Sequence, residues 1–304
     1  MDYIYEVVTY CSSLMFASTI KVDSIRYQIR DNLYLRFLSN TKKVKGIVLI
    51  FRGGCHYFDD EVPHYVKILY HHLPDVRLVM FEKITPMVDL NEWSYVSDSI
   101  KYLRKKFPNE KIYLLGFSMG GIFLYNYLSN GCDEADGYIS VSSPLNMDYF
   151  TTAVNNNFLY RIIQRRIYRE SGVDSMEELV ELYGVPAYEH IENTCNLFPN
   201  LKLKTNPNTL KKTLAVIGER DLLTQSFLMD RINYPIPTLI VANGYHCCSS
   251  SIYYAANFIN SSFDKGFNIK ESQCMYSNGY TPGKDHQSVE DQFDLKCINR
   301  MLVE

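Results

Sequence analysis

The stretch Lys111-Ile-Tyr-Leu-Leu-Gly116-Phe117-Ser118-Met119-Gly120-Gly121 decides the fold that we predict for this chain. Its first five residues are typical of a central strand, and a helical pattern follows the last glycine through Leu128. A sharp turn between a strand and a helix holds its central serine in a strained conformation, so the hydroxyl projects from the top of the sheet. Ser118 is therefore the predicted nucleophile. The alternative is a serine that caps the N-terminus of a helix.

The chain on both sides of this turn alternates short β-branched runs with longer amphipathic runs. This alternation predicts a mostly parallel central sheet with helices on both faces. The predicted strands cover residues 26–37 (with a turn at Asp31-Asn32), 46–51, 76–81, 111–115, 138–141, 213–218 and 238–242. The predicted helices cover residues 61–73, 92–107, the stretch after Gly121 through Leu128, and 252–259.

Composition places the chain among folded globular proteins. Of its 304 residues, 46% are hydrophobic and 21% are charged, which excludes whole-chain disorder, collagen and coiled coil. The formal net charge of -3 provides no basic surface, so no nucleic-acid partner is expected. The eight cysteines show no CxxC pair and no metal-ligand spacing. We therefore expect free thiols, a cytoplasmic location, and neither a metal ion nor a cofactor.

The N-terminal apolar stretch Val7–Phe16 follows Asp2 and Glu6, whereas a secretory signal needs positive charge at that position. We interpret the stretch as a folded segment, with a targeting role as the alternative. No part of the chain approaches about 20 uninterrupted apolar residues, so no transmembrane helix is expected.

The alternation of strand-like and helix-like runs is interrupted once and later ends, which predicts a division of the chain into four parts. Residues 1–147 and 209–260 form the two halves of one core. Residues 148–208 carry helix-like stretches rich in Asn, Arg and Tyr between two predicted strands, so we expect a helical cap insertion there. Residues 261–304 are polar, and we expect a poorly packed tail.

A serine nucleophile needs a base, and the base needs a carboxylate that orients it. Asp221 and His246 each follow a predicted strand, so both lie on loops at the carboxyl ends of strands. The predicted order is Ser118, Asp221, His246. The alternatives are a turn-capping Asp221, with Glu219 or Asp230 as the acid, and a loop histidine that bonds a backbone carbonyl. The remaining histidines fit this order less well: His56, His64, His71, His72, His190 and His286.

A tetrahedral intermediate also needs two backbone N–H donors that face its negative oxygen. We predict Met119 as one donor, because it follows the nucleophile at a helix N-terminus, and Gly54 as the other. Gly54 ends the run Phe51-Arg52-Gly53-Gly54 after the first buried strand, and its two glycines allow the backbone to approach a substrate oxygen closely. The alternative for this run is a tight turn.

Together these residues resemble the α/β-hydrolase superfamily over about residues 25–260. Within it, the turn at Gly116–Gly121, the helix segment Tyr125-Asn-Tyr-Leu128 and the later Ser142-Ser-Pro144-Leu-Asn146 are similar to one branch. That branch contains the bacterial YheT esterase and the plant embryogenesis-associated hydrolases. The resemblance implies an α/β-hydrolase fold with a nucleophile elbow.

The same resemblance implies a serine esterase or lipase-like enzyme that acts on acyl esters or lipids with a Ser, Asp, His triad. Carried over to this sequence, the triad is Ser118, Asp221 and His246. Two positions depart from the pattern of the branch. Arg52 stands where the branch usually has a histidine before glycine, and His246 follows Gly-Tyr where the branch often has Gly-Gly.

One segment of the insertion, Phe158–Arg169, has the pattern of an amphipathic helix. Its apolar side includes Ile162 and Ile163, which we predict to line the substrate pocket. Its basic side consists of Arg161, Arg165 and Arg169. The plain interpretation is a cap helix with a solvated basic face; the alternative is a lid that contacts acyl chains or an anionic membrane surface. Cys247 and Cys248 fit small core residues better than a reactive pair.

The leading interpretation is a serine hydrolase that cleaves a carboxylic ester, with a small-molecule acyl ester or a lipid as substrate. An acyltransferase or a peptidase with the same triad is the first alternative, because the acyl-enzyme step is shared. A non-catalytic hydrolase-fold protein that binds a ligand or a partner protein is the second. Arg52 and the unusual insertion favour this second alternative, whereas the complete triad opposes it.

Overall fold

A single twisted sheet lies at the centre of the computed structural model. The structure describes residues 14–38, 44–53, 62–83, 93–143, 207–221, 236–241, 244–267 and 274–277, together with Ser12, Thr224 and Ile269. The strands within these residues are β1 Ser24–Arg30, β2 Leu33–Leu38, β3 Gly46–Phe51, β4 Arg77–Lys83, β5 Lys111–Phe117, β6 Gly137–Val141, β7 Thr213–Gly218, β8 Thr238–Val241 and β9 Cys274–Ser277.

The strands lie in the order β1-β2-β4-β3-β5-β6-β7-β8-β9 across the sheet. β2 runs antiparallel to both of its neighbours, β1 and β4, whereas every pairing from β4 through β9 is parallel. The prediction of a mostly parallel sheet is confirmed. Because parallel strands share one carboxyl edge, the loops after β5, β6, β7 and β8 all leave the sheet on the same side.

Helices cover both faces of the sheet. Besides the helical residues 14–18, the described helices are α1 His64–His72, α2 Trp93–Lys106, α3 Met119–Ser129, the single turn α4 Pro207–Leu210, and α5 Ser249–Lys265. One apolar cluster joins α1 and α5 to alternate strand residues such as Val48 and Ile50. The other joins α2 and α3 to the residues between them, such as Leu49. This alternation along β3 is the two-residue period that a strand buried on both faces requires.

The prediction of a poorly packed tail from residue 261 is wrong for the residues that the structure describes. α5 continues to Lys265, and Phe267 and Ile269 beyond it are buried. β9 then pairs in parallel with β8, from Thr238 opposite Cys274 to Val241 opposite Ser277. The physical reason is that β8 would otherwise present an unpaired edge, and a few apolar residues in a polar context suffice to cover the end of the core.

The predicted insertion leaves and re-enters the sheet at neighbouring strands, since β6 and β7 pair directly. Most of it, residues 144–206, lies outside the described residues, as do Ile162, Ile163 and the three arginines of the same segment. Gly54 and Asp230 also lie outside them. Among the described helices, none has both the length and the apolar character needed to cross a membrane.

Candidate active site

The turn between β5 and α3 consists of one residue, Ser118. Its φ of 49° lies in the left-handed region, which non-glycine residues seldom adopt. The glycines around it are required by close backbone packing. A Cβ on Gly116 would lie 2.5 Å from the backbone of Gly120, and a Cβ on Gly120 would lie 2.2 Å from the carbonyl oxygen of Phe51. The turn therefore brings the start of α3 directly against the sheet.

Three side chains from three strand-end loops form a hydrogen-bonded series. His246 Nε2 lies 3.1 Å from Ser118 Oγ. On the other side of the ring, His246 Nδ1 lies 3.1 Å from both carboxylate oxygens of Asp221. The side chain of Asp221 is fully buried, whereas that of His246 is 18% exposed. The structure thus brings together the three residues that the sequence singled out, with the ring between hydroxyl and carboxylate.

Burial and charge shift the pKa values of Asp221 and His246 in opposite directions. Burial alone raises the pKa of the Asp221 carboxyl, but the charge of His246 and three hydrogen bonds hold that pKa below its usual value. These hydrogen bonds come from His246, Thr224 and Ser142. Burial alone lowers the pKa of the His246 ring, but the negative charge of Asp221 raises it well above its ordinary 6.5. The buried carboxylate therefore stabilises a positively charged imidazole.

Backbone hydrogen bonds extend the sheet by one residue into these loops. The first N–H after each strand donates to a carbonyl of the neighbouring strand at 2.9 Å: Ser118 to Val141, Ser142 to Val216, and Glu219 to Val241. In addition, the N–H of Arg220 donates to the carbonyl of Gly244 at 2.8 Å, which joins the loop of Asp221 to the loop of His246. The relative positions of the three side chains therefore depend on the rigid sheet.

The backbone after β3 lies beside the nucleophile. A Cβ on Gly53 would lie 3.3 Å from Ser118 Cβ. The N–H of Gly53 donates to the buried hydroxyl of Tyr65 on α1 at 3.0 Å. The Met119 backbone begins α3, where the first N–H groups have no partner within the helix. Of the two N–H donors expected from the sequence, Met119 is described and adjoins Ser118, while Gly54 directly follows the described segment.

Arg52, which stands where the YheT-like branch usually has a histidine, belongs to a buried ionic cluster. It is 4% exposed, and its guanidinium lies 3.7 Å from the Glu82 carboxylate on β4. Glu82 also contacts Arg26 at 2.7 Å and Arg36 at 2.8 Å. The arginine thus has a role in packing the start of this loop against the edge strands.

Two residues at the site were missed by the sequence reasoning. One is Tyr65, which the helical pattern places only on a buried face. The other is Ser142, a fully buried residue whose hydroxyl accepts the N–H of Cys247 at 2.9 Å and contacts the Asp221 carboxylate. The Ser-Ser-Pro segment was the available signal, but it does not distinguish Ser142 from its neighbour.

The competing candidates lie elsewhere or outside the described residues. Glu219 has an exposed side chain. The described histidines other than His246 lie on α1: His64, His71 and His72. Cys248 is buried, with its sulfur accepting the N–H of Tyr245 at 3.3 Å. Among the residues described, no group of three His, Cys, Asp or Glu side chains is arranged to hold a metal ion.

Comparison with known proteins identifies related sequences and folds. A family model described as alpha/beta hydrolase fold matches residues 81–239. A monoacylglycerol lipase from Saccharomyces cerevisiae is 38% identical over 69 residues, which cover 21% of this chain and only 15% of the yeast protein.

Solved structures with low sequence identity share the fold over most of the chain. A thermostable esterase from Pseudomonas putida has a TM-score of 0.54 and 11% identity, and the match covers 89% of this chain and 91% of the esterase. A siderophore hydrolase from Aspergillus fumigatus has a TM-score of 0.51 and 14% identity, with coverages of 80% and 97%. Because the family model spans just over half of the residues and the fold agrees, the chain belongs to the α/β-hydrolase fold family.

Proposed function

We propose that this protein is a serine hydrolase that cleaves a carboxylic ester, of the esterase or lipase type, through an acyl-enzyme intermediate. The observation that carries the proposal is the series from Ser118 Oγ through both nitrogens of His246 to Asp221, with 3.1 Å at each step. A hydroxyl, an imidazole and a buried carboxylate in this order are the groups that nucleophilic acyl transfer needs.

In the first half-reaction, Ser118 Oγ attacks the ester carbonyl carbon while His246 Nε2 accepts the hydroxyl proton. The imidazolium formed is stabilised by Asp221, whose charge raises the ring pKa in the resting protein. The ring then gives the same proton to the leaving alcohol oxygen as the carbon–oxygen bond breaks. Water repeats these steps on the acyl-enzyme: the ring takes a proton from water, returns it to Ser118 Oγ, and the carboxylic acid leaves.

The negative oxygen of each tetrahedral intermediate needs preorganised donors. We assign this role to the backbone N–H groups of Met119 and Gly54. Support comes from the position of Met119 at the start of α3 and from the approach of Gly53 to Ser118. The N–H of Gly53 already donates to Tyr65, which is why we assign the role to the residue that follows it in the sequence.

We assign substrate selection to residues 148–208, proposed as a helical cap over the site, with Ile162 and Ile163 in the acyl pocket. Support comes from the parallel pairing of β6 with β7, because the chain between them leaves the sheet at the carboxyl end of β6, on the edge that carries Ser118. The name of the yeast relative, monoacylglycerol lipase, favours a lipid ester as substrate. The YheT-like branch stays a prediction of the sequence motifs.

Reaction with a fluorophosphonate probe, together with hydrolysis of a series of p-nitrophenyl esters, tests the proposal. Ser118→Ala should abolish labelling and lower kcat by about a million-fold, with little change in melting temperature. Ser129→Ala is the matched control, because this buried serine lies at the far end of α3, which Ser118 precedes, and its hydroxyl donates to the Tyr125 carbonyl one turn earlier. Turnover that persists in Ser118→Ala would refute the assignment of the nucleophile.

A further inference from the structure

Ser142 occupies the same place after β6 that Ser118 occupies after β5. Its φ of 52° is left-handed, like the 49° of Ser118 and the 48° of Cys247 beside His246. Among the described non-glycine residues, Asn32 in the β1–β2 turn is the other with a positive φ. Such backbone strain persists only where surrounding contacts determine it, and it often concentrates at functional sites. For Ser142, these contacts include Cys247, next to His246, and Val216 on β7.

The hydroxyl of Ser142 joins the two loops that carry the acid and the base. It accepts the backbone N–H of Cys247 at 2.9 Å, and its hydrogen bonding is one of the causes that hold the pKa of the Asp221 carboxyl low. A hydroxyl has one proton and two lone pairs. Because the N–H can only donate and an ionised carboxylate can only accept, Ser142 must direct its proton to Asp221.

We propose that Ser142 is a positioning residue of the active site, which fixes the Asp221 carboxylate relative to the loop that carries His246. The inference rests on the proposed function. The described partners of the Ser142 hydroxyl are Asp221 and the backbone N–H of Cys247, so it acts through Asp221 and through the backbone next to His246.

The hydrogen bond from Thr224 does not replace this one. The N–H of Thr224 bonds Asp221 at 3.2 Å from within the same loop, so it orients the carboxylate only relative to that loop. Ser142 stands on a third loop, and its own N–H is bonded to Val216 on β7 at 2.9 Å. Ser142, which is fully buried, therefore connects the loop of Asp221, the loop of His246 and the sheet.

Kinetics of Ser142→Ala and Ser142→Gly on a p-nitrophenyl ester test the proposal. Loss of a hydrogen bond to a charged group, or a small displacement of a reacting group, each lowers a rate by roughly ten- to hundredfold. We therefore expect kcat to fall by about that factor. KM should change less than about threefold, because the residue lies behind the reacting groups. Glycine adopts a positive φ without strain, so equal losses in both variants would assign the effect to the hydroxyl. The glycine variant also carries the test if the alanine variant does not fold.

Ser143→Ala is the matched control. Ser143 is the next residue, equally buried, and its hydroxyl has no hydrogen-bond partner in the part of the chain that is described. This variant should keep kcat within about twofold of the wild type, since it removes a hydroxyl that makes no hydrogen bond with the described residues. A loss equal to that of Ser142→Ala would overturn the proposal, because it would show general damage to the segment.

A double-mutant cycle separates positioning from general structural support. If Ser142 acts through Asp221, Ser142→Ala should lower kcat less than about threefold in an Asp221→Asn background. Losses that multiply would overturn the proposal. Unchanged kcat in Ser142→Ala, in a protein whose wild type reacts with the fluorophosphonate probe, would overturn it and leave the proposed function standing. A wild type that neither reacts with the probe nor hydrolyses esters would overturn both.

Discussion

Gly218 and Gly244 lie against each other at the carboxyl ends of β7 and β8, so that a Cβ on Gly218 would lie 2.4 Å from the carbonyl oxygen of Gly244. Gly218 shortly precedes Asp221, and Gly244 shortly precedes His246. The same Gly244 carbonyl accepts the N–H of Arg220 at 2.8 Å. The spacing between the acid loop and the base loop thus depends on the absence of a side chain at position 218.

Gly218→Ala should therefore impair both stability and turnover. The added methyl group meets backbone atoms, which cannot rotate away, so we expect the free energy of unfolding to fall by about 1–3 kcal/mol. Displacing the acid loop should lower kcat by roughly ten- to hundredfold. Urea denaturation and ester kinetics on the same preparation measure the two effects.

Gly46→Ala is the control at the opposite edge of the sheet. A Cβ there would lie 2.2 Å from the ring of Phe263, far along the strands from Ser118. This variant should lose stability while its folded fraction keeps the wild-type kcat. A Gly218→Ala protein with unchanged kcat would show that the spacing of the two loops does not limit the reaction.

The carboxylate that orients the base should be Asp221. Asp221→Asn should lower kcat by about ten-thousand-fold, as in triads where the amide selects the wrong ring tautomer. Glu219→Gln should change kcat little, because the Glu219 side chain is exposed, whereas Asp221 bonds the ring directly. A large loss in Glu219→Gln and a small one in Asp221→Asn would identify Glu219 as the orienting carboxylate instead.

The pH dependence of kcat/KM should report the raised pKa of His246. Only the neutral ring accepts a proton, so kcat/KM should increase with pH and reach half its maximum above the ordinary 6.5. Removing the negative charge in Asp221→Asn should move this midpoint to lower pH. A wild-type midpoint at or below 6.5 would contradict the charge coupling between the two residues.

The same pair should link stability to pH. The raised pKa of His246 contributes stability that is complete below the ordinary 6.5 and is lost as pH rises through the folded pKa. The lowered pKa of Asp221 contributes stability that is complete above the ordinary 3.8 and is lost as pH falls through the folded pKa. The free energies of unfolding of the wild type and of Asp221→Asn should therefore differ most between about pH 3.8 and pH 6.5.

Much of the fold follows from local patterns. The turn at Asp31-Asn32 is confirmed by a left-handed Asn32, with φ of 61°, between β1 and β2. Buried runs such as residues 46–51 favour parallel strands, because strands covered by helices on both faces are apolar at every position. Once the strands are parallel, the residues after them must gather at one edge, which is why Ser118, Asp221 and His246 were predictable as neighbours.

The parts that escaped prediction depend on tertiary contacts. The hydroxyl of Tyr65 reaches Gly53 because of how α1 is rotated against the sheet, which no local pattern encodes. Ser142 and Ser143 are both serines in adjacent positions, and the residue type alone does not show that the first, with its left-handed backbone, is the partner of Asp221. β9 is four residues long in a polar context, and its pairing depends on the free edge of β8.

Tyr65→Phe should loosen the loop that precedes Gly54. The change leaves the buried N–H of Gly53 without the acceptor that it has at 3.0 Å, which should cost about 1–3 kcal/mol of unfolding free energy. Because that loop carries one proposed oxyanion donor, kcat should fall more than KM rises. Tyr102→Phe, on α2 and partly exposed, should change neither quantity. Equal kcat and KM in the two variants would show that the hydroxyl of Tyr65 does not hold this loop in its active position.

The residues after α5 should contribute to stability without contributing to the chemistry. The ring of Phe267 lies 5.2 Å from that of Tyr113 and 5.0 Å from that of Phe258, and it fills the space above Gly137, where a Cβ would lie 2.2 Å from it. Phe267→Ala should therefore lower the free energy of unfolding by about 3 kcal/mol. Ile25→Ala is the control, because Ile25 is 57% exposed on β1 and should cost less than about 0.5 kcal/mol.

Truncation separates the role of Phe267 from that of β9. A chain that ends at Lys265 loses both, whereas a chain that ends at Ser277 keeps both. The shorter chain should unfold at a lower urea concentration and self-associate more readily, since β8 then presents an unpaired edge. Fluorophosphonate labelling should persist wherever the protein is folded, because Gly137 and Tyr113 lie toward the amino ends of β6 and β5, away from Ser118. Equal stability of the two chains would mean that β9 adds nothing to the sheet and would restore the expectation of a dispensable tail.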